Sequence, residues 1–287
     1  PVGFRFNDDH GPILGRGQQF EPVAFVRSLG LLSWNFHCQP AHLAGFPVNG
    51  AAEPARYLDL SGGFEAYRKA RKAQGSDIGD DLIKPVRRLD KNNFDLRFEW
   101  HTTNPQVLQS LIEWKRAQYR ATGFTDVLAT AWPRHLLQRL ALTSTVDFRG
   151  VLSALWLRDR ASGEERLAAV HLGLVSGTVM HSWFPAYDGE LAHLAPGLCL
   201  LGQIAGAASS EGVTRIRLGP GEERYKVRLG SDAEWMQSGH VDAEPSVTML
   251  RSVWQGAKQS LRSQLASKEG TGWWAAAHRL KERWALQ

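Results

Sequence analysis

Cysteine is nearly absent: the 287 residues contain two, Cys38 and Cys199. That is too few for a disulfide framework or a cysteine-based zinc site, and each is expected to be a small buried hydrophobe. Long apolar runs are missing as well. The longest strongly apolar stretch, Gly197 to Ala208, has 12 residues and includes Gln203, whereas a spanning helix needs ~20. Neither a transmembrane segment nor a signal peptide is expected. Charge of one sign is barely in excess: 34 Lys and Arg face 29 Asp and Glu, a net charge of +5. This favours anionic partners weakly. No zinc-finger, recognition-helix or RNA-binding signature accompanies it, so no nucleic acid partner is expected.

What is present is an ordinary globular composition, 43% apolar and 22% charged, of a length that suits one large domain or two small ones. Tryptophan is abundant, with 11 copies. Residues 1 to 55, rich in Gly, Pro and aromatics, show no helical period and read as short strands and loops. They resemble the end of a unit whose beginning precedes Pro1. Between Glu65 and Lys91 eight basic and five acidic side chains make either a solvated helix face or a rim for an anionic substrate. Phe94, Leu96, Phe98 and Trp100 alternate with polar residues, which predicts a half-buried strand. Asn104-Pro105 predicts a helix start, and Gly123 its stop. A second helix is predicted over Trp132 to Leu142. Strands follow at Gly150 to Leu157, Arg166 to Val175 and Thr178 to Phe184, then a helix from Pro196-Gly197 to about Ser210 and a strand at Val213 to Leu218. The order β, α, α, β, β, β, α, β predicts an α/β (α+β) unit with a mostly antiparallel meander and one crossover helix. After Pro245 two basic amphipathic helices are predicted, the first with Leu250, Val253 and Trp254 on one face, the second with Trp273, Ala277, Leu280 and Trp284.

Two junctions could carry chemistry. At Ala195-Pro196-Gly197-Leu198 a loop enters a helix, and unpaired backbone N–H groups there, aided by the helix dipole, suit an anion such as pyrophosphate. At Gly219-Pro220-Gly221-Glu222-Glu223-Arg224-Tyr225-Lys226 two glycines, two carboxylates, a phenol and an ammonium crowd together just past a strand. A plain polar hairpin is the alternative. His171 and His181 sit on neighbouring strands, three and four residues from the Ser176-Gly177 turn. They read as structural histidines or as acid/base groups facing one cleft. With Asp188 they lack a third spaced ligand, and no metal is expected.

Residues of about 56 to 230 resemble the GNAT-superfamily acyltransferases of the CelD/BcsL type, linked to cellulose and exopolysaccharide synthesis and related to the Fem ligases. The resemblance lies in Ala169-Val170-His171-Leu172-Gly173-Leu174, in His181-Ser182-Trp183-Phe184-Pro185-Ala186-Tyr187, in Pro196-Gly197, and in Leu218-Gly219-Pro220-Gly221-Glu222 followed by Tyr225-Lys226. It implies a GNAT fold, with residues 1–55 as the end of a first GNAT-like half, 56–245 as the acyltransferase domain and 246–287 as C-terminal helices. It implies acetyl-CoA or another acyl-CoA as co-substrate, bound at Ala195, Pro196, Gly197 and Leu198. The acceptor would be a sugar, lipid-linked sugar or polysaccharide precursor, attacking the thioester directly. Glu222, His171 or His181 would serve as base, and Tyr225 or Tyr187 as donor. Lys226, Tyr187 and Trp183 would hold substrate. A cytoplasmic location follows, with peripheral contact at the inner face of the membrane or with a synthase complex. Two positions depart from the family pattern, Arg217 before Leu-Gly and Ala195 before Pro-Gly. A Fem-like aminoacyl transferase and an inactive module that scaffolds a synthase remain the alternatives.

Overall fold

The computed structural model describes residues 6, 8–15, 18, 20–41, 43, 50–74, 82 and 84–268, the last stretch without the side chains of 258, 259 and 261–268. The second predicted C-terminal helix lies outside these residues. Among the described residues the chain divides into two units, the larger spanning Ala55–Ala233, the smaller built from residues up to Pro54 and from Glu234 to Lys268.

In the larger unit the alternating stretch forms strand β3, Phe94–Glu99. Its Phe94, Leu96 and Phe98 pack on the core cluster, as does Trp100 beyond its end. On the opposite face Asp95 pairs with Arg160 at 2.8 Å, and Arg97 with Glu165 at 2.7 Å. Helix α4, Pro105–Thr122, starts and stops as its capping residues dictate: Asn104 accepts from the Gln106 N–H, and Gly123 adopts a left-handed φ of 71°. Helix α5, Ala131–Ala141, follows. Strands β4 (Phe148–Asp159), β5 (Glu165–Ser176) and β6 (Val179–Tyr187) then run antiparallel in succession. The centres of β4 and β5 are buried on both faces and mostly apolar, as strands covered on both sides require.

Helix α6, Pro196–Ser210, crosses from β6 to β7, Arg215–Pro220. The β6–β7 pair is parallel. Two parallel neighbours cannot be joined by a tight turn, and an apolar crossover helix meets that need. The strand order in this unit is β2-β7-β6-β5-β4-β3, with β2 at Ala52–Asp59. Helices α2 (Phe64–Ala73) and α3 (Lys84–Lys91) also belong here. They carry the basic residues read from the sequence. Leu155, Leu157, Met180, Cys199, Ile204 and Ile216 lie in one buried cluster. So a mixed, mostly antiparallel sheet flanked by helices is the observed architecture.

The smaller unit holds helix α1, Pro22–Ser28, strand β1, Ser33–Pro40, strand β8, Asp232–Asp242, and helix α8, Pro245–Lys268. Strands β1 and β8 pair antiparallel. Helix α1 corrects the reading of this region as strands and loops only. Glu21 accepts from the Ala24 N–H and Pro22 opens the helix, a start signal masked by the shortness of the element. Strand β8 is likewise absent from the sequence reading: Trp235 is exposed while Met236 and Gln237 are both buried, which breaks the alternation that marks a strand. No helix among the described residues is long and apolar enough to cross a membrane.

Candidate active site

The site begins where two strands separate. Strands β6 and β7 pair at Val179↔Arg215, Met180↔Ile216 and His181↔Arg217, and no pair follows. Beyond it β6 continues to Tyr187 and β7 to Pro220, with β7 still paired on its other edge with β2, Pro220 opposite Ala55. Backbone donors and acceptors on the parted edges are left for water or a ligand. His181 and Arg217 mark the point of parting. A bulge sits just above it: Leu172 faces Phe184 but Gly173 faces Ser182, so Trp183 has no opposite residue in β5. Bulges re-aim side chains and interrupt pairing, and they favour functional edges.

The two histidines flank Gly173. A Cβ there would meet His171 Cε1 at 2.8 Å and the His181 carbonyl at 3.3 Å. His171 is buried, and its Nε2 shares a 2.9 Å hydrogen bond with Ser182 Oγ. Burial pushes its pKa down to about 3, helped by His181 and by the Lys115 ammonium. It is therefore neutral at pH 7. Lys115 reaches across from α4 to donate to the Pro185 carbonyl at 2.9 Å.

This burial has a testable consequence. In the unfolded chain His171 takes up a proton below its ordinary value of 6.5, and in the folded chain it does not. Stability is therefore full above pH 6.5 and falls as the pH drops toward 3. At pH 5 the loss is about 2 kcal/mol, since each unit of proton uptake is worth 1.36 kcal/mol. Urea titrations of the wild type and His171→Gln at pH 7 and pH 5 are expected to show a steeper acid loss in the wild type. Equal losses would contradict the buried neutral imidazole.

The helix start lies on the same edge of the sheet. Ala195 adopts φ 54° and ψ 49°, a left-handed conformation uncommon for a residue with a Cβ. No side chain caps the helix and its first turn holds no acidic residue. Its opening N–H groups and the positive end of its dipole are thus available to an anion. Tyr187, at the end of β6, lies against this start: a Cβ on Gly197 would sit 3.5 Å from Tyr187 Cδ1. Burial pushes the Tyr187 phenol up. Arg88 of α3 donates to the His193 carbonyl at 2.9 Å, in the 3-10 turn Gly189–Leu194 that leads to Ala195. Asp188 caps that turn and binds Arg166. Cys199, one turn into the helix, is buried with its thiol pushed up to about 12 by burial, and is inert packing.

Past β7 the chain bends through Gly219 (φ 75°) and Gly221 (φ 117°). Both φ values lie in the left-handed region that favours glycine, so the turn calls for both glycines. Helix α7, Arg224–Leu229, replaces the polar hairpin considered from the sequence. Glu222 is exposed and Tyr225 half-buried against the core. Lys226 is buried, donating to the Pro220 carbonyl at 2.6 Å and pairing with Glu223 at 3.1 Å. Its ammonium ties the strand end to the helix. Tyr67 Oη and Arg71 of α2 donate to the Leu229 and Arg228 carbonyls at 2.7 and 2.8 Å, closing the other end of α7.

Tyr187, Leu198 and Tyr225 thus pack on one cluster, and His171, His181 and Trp183 lie along neighbouring stretches of β5 and β6. The sequence reading passed over Ser182, Lys115 and Arg88 as partners. For Lys115 the only signal was an ammonium on the apolar side of α4.

Two features thus mark the site: strands β6 and β7 part beyond His181 and Arg217, and α6 opens without a side-chain cap after the end of β6. Residues 81–227 match the acetyltransferase (GNAT) domain family, and the chain belongs to that family. It is accordingly an acyltransferase with acyl-CoA as co-substrate. No curated protein matches the chain. Among solved structures it is similar to the C-terminal (DUF2156) domain of a protein assigned as a lysylphosphatidylglycerol synthetase from Agrobacterium fabrum. The identity is 10% and the TM-score 0.49, covering 80% of this chain and 73% of that one. It is also similar to FemX (9%, TM-score 0.48, 82% and 72%). A third likeness is to a tandem GNAT protein from the clavulanic acid biosynthesis pathway (16%, TM-score 0.38, 82% and 61%).

Proposed function

We propose that the chain transfers an acyl group, in the first instance acetyl, from acyl-CoA to an amine or hydroxyl of a sugar or polysaccharide precursor in exopolysaccharide synthesis. The observation that carries the transfer step is the parting of β6 and β7 at His181 and Arg217, beside the uncapped start of α6. The sugar acceptor rests on the likeness to the CelD/BcsL type. In this reading the segment Ala195, Pro196, Gly197 and Leu198 receives the pyrophosphate through the backbone N–H groups of Gly197 and Leu198, since Pro196 has none and Ala195 donates to the Ala192 carbonyl, and Arg88 adds positive charge to the rim. The thioester lies between the parted strands beside the Trp183 bulge. The acceptor's lone pair attacks the carbonyl carbon, and its proton passes to His181, directly or through water. The carbon–sulfur bond breaks and the leaving thiolate takes a proton from Tyr225. Positioning of acceptor and thioester supplies much of the rate. His171, held neutral by burial, orients β6 through Ser182. Lys226 and Glu223 fix the strand-to-helix turn that presents Tyr225 and Glu222.

The test is release of free CoA thiol from acetyl-CoA in the presence of amino-sugar and polysaccharide acceptors. His181→Ala is expected to lower turnover at least about tenfold, the usual worth of a general base, with unchanged thermal unfolding. Wild-type turnover in His181→Ala would remove the base from this residue.

Peripheral contact with a membrane or synthase complex is part of the same reading. It is supported by Met249, Leu250, Val253 and Trp254, all exposed on helix α8, and by basic residues along that helix.

A further inference from the structure

The smaller unit carries a cluster that the transfer reaction does not use. In the β1–β8 pair, Phe36 faces Gly239 and Gln39 faces Gln237. His37 and Cys38 therefore stand opposite Ser238 alone. Successive residues of a regular strand point to opposite faces. Here the extra residue, with Cys38 at φ 51°, turns both side chains to one place. Glu53, in the opening residues of β2 that belong to the smaller unit, lies close to both. One ligand atom from each of His37, Cys38 and Glu53 lies within 4.8 Å of the others. The Ser238 hydroxyl is 2.7 Å from His37 Nδ1 and accepts from the Cys38 N–H at 3.2 Å. Cys38 Sγ is 3.5 Å from Glu53 Oε1.

A second, independent observation points into the same place. His10 is 9% exposed, and neither ring nitrogen has a hydrogen-bond partner. Its backbone N–H donates to the Cys38 carbonyl at 2.9 Å, and its ring centroid is 6.4 Å from that of His37. Gln39, the next residue of β1, is fully buried with both side-chain polar atoms unpartnered. Buried polar atoms without partners are rare, and each calls for a water or an ion.

We propose that His37, Cys38 and Glu53 bind a transition-metal ion of the zinc class, the three residues supplying three ligands and leaving the fourth position open. Imidazole, thiolate and carboxylate are the donors zinc accepts, at ~2.0–2.3 Å. Around a tetrahedral ion such donors stand ~3.3–3.8 Å apart, inside the spread found here. Magnesium and calcium prefer all-oxygen sets and are disfavoured by the cysteine. The serine supplies the outer hydrogen bond that fixes a ligating imidazole. This departs from the expectation of no metal, because His37 and Cys38 reach one place with Glu53 only through a bulge that spacing does not reveal. The ion would tie β1 to Glu53, in the unit outside the GNAT match.

The full chain, stripped with a chelator, is to be titrated with zinc(II) alone against a chromophoric competitor, with cobalt(II) as a spectroscopic probe. The expected result is one ion per chain and a thiolate-to-cobalt charge-transfer band. Cys38→Ser is expected to abolish the band and weaken zinc binding at least about 100-fold. His37→Gln and Glu53→Gln, at less buried positions that keep the fold, are each expected to weaken it at least about tenfold. No stoichiometric binding by the wild type, or binding unchanged in Cys38→Ser and His37→Gln, would overturn the proposal.

Discussion

Replacing Gly197 by aspartate is expected to weaken acetyl-CoA binding by about 30- to 100-fold, a change of ~2–3 kcal/mol. The first turn of α6 has neither a side-chain cap nor an acidic residue. An aspartate there would accept from the same N–H groups that the pyrophosphate needs, and would set a full negative charge beside it. The same substitution suits the helix itself, since a carboxylate near a helix N-terminus is stabilising. The two effects have opposite signs, so thermal unfolding unchanged or raised, with binding lost, separates them. Gly197→Ala is the control. Its Cβ would meet Tyr187 Cδ1 at 3.5 Å, an ordinary contact, and alanine is the better helix former. Affinity is expected to change less than about threefold, because no charge is added. Equal affinity in Gly197→Asp and wild type would move the phosphate site away from this helix.

Gly150→Ala is expected to lower stability by about 3 kcal/mol, at the upper end of overpacking. Gly150 lies on β4 opposite Leu174 and donates its N–H to the Thr143 carbonyl at 3.0 Å. An added Cβ would stand 1.9 Å from the Leu140 carbonyl oxygen and 3.2 Å from Ala141 Cα. Both are backbone atoms at the end of α5, and backbone cannot swing aside as a long side chain does. The strand or the helix end must shift in a close-packed interior. Gly189→Ala, with nothing within 4 Å of its Cβ, is expected to stay within about 0.5 kcal/mol of wild type. The urea midpoint measures both, and a loss below 1 kcal/mol in Gly150→Ala would contradict this packing.

Local chemistry made much of the larger unit legible. Asn104-Pro105 and Gly123 bracket a helix, the alternation around Leu96 makes a strand, and Pro196-Gly197 opens the crossover helix. Each signal is settled within a few residues of chain. What stayed hidden depends on partners distant in sequence. The parting of β6 from β7 is a property of two strands joined through a whole helix. The neutral state of His171 comes from burial and from Lys115, 56 residues earlier. The bulges at Trp183 and at His37-Cys38 count one strand against another, which no single stretch can show. Lys226 illustrates the same limit: its type suggests a phosphate clamp, while its position places the ammonium on Pro220 and Glu223.

The central claim is that an acyl-CoA is held at the start of α6 with its thioester between the parted strands. Calorimetric titration of the full chain with acetyl-CoA, beside free CoA and longer acyl-CoAs, tests it most directly. The account predicts saturable 1:1 binding in the micromolar range, about −8 kcal/mol, lost in Gly197→Asp and kept in Gly197→Ala. A folded chain that binds none of these ligands would contradict it.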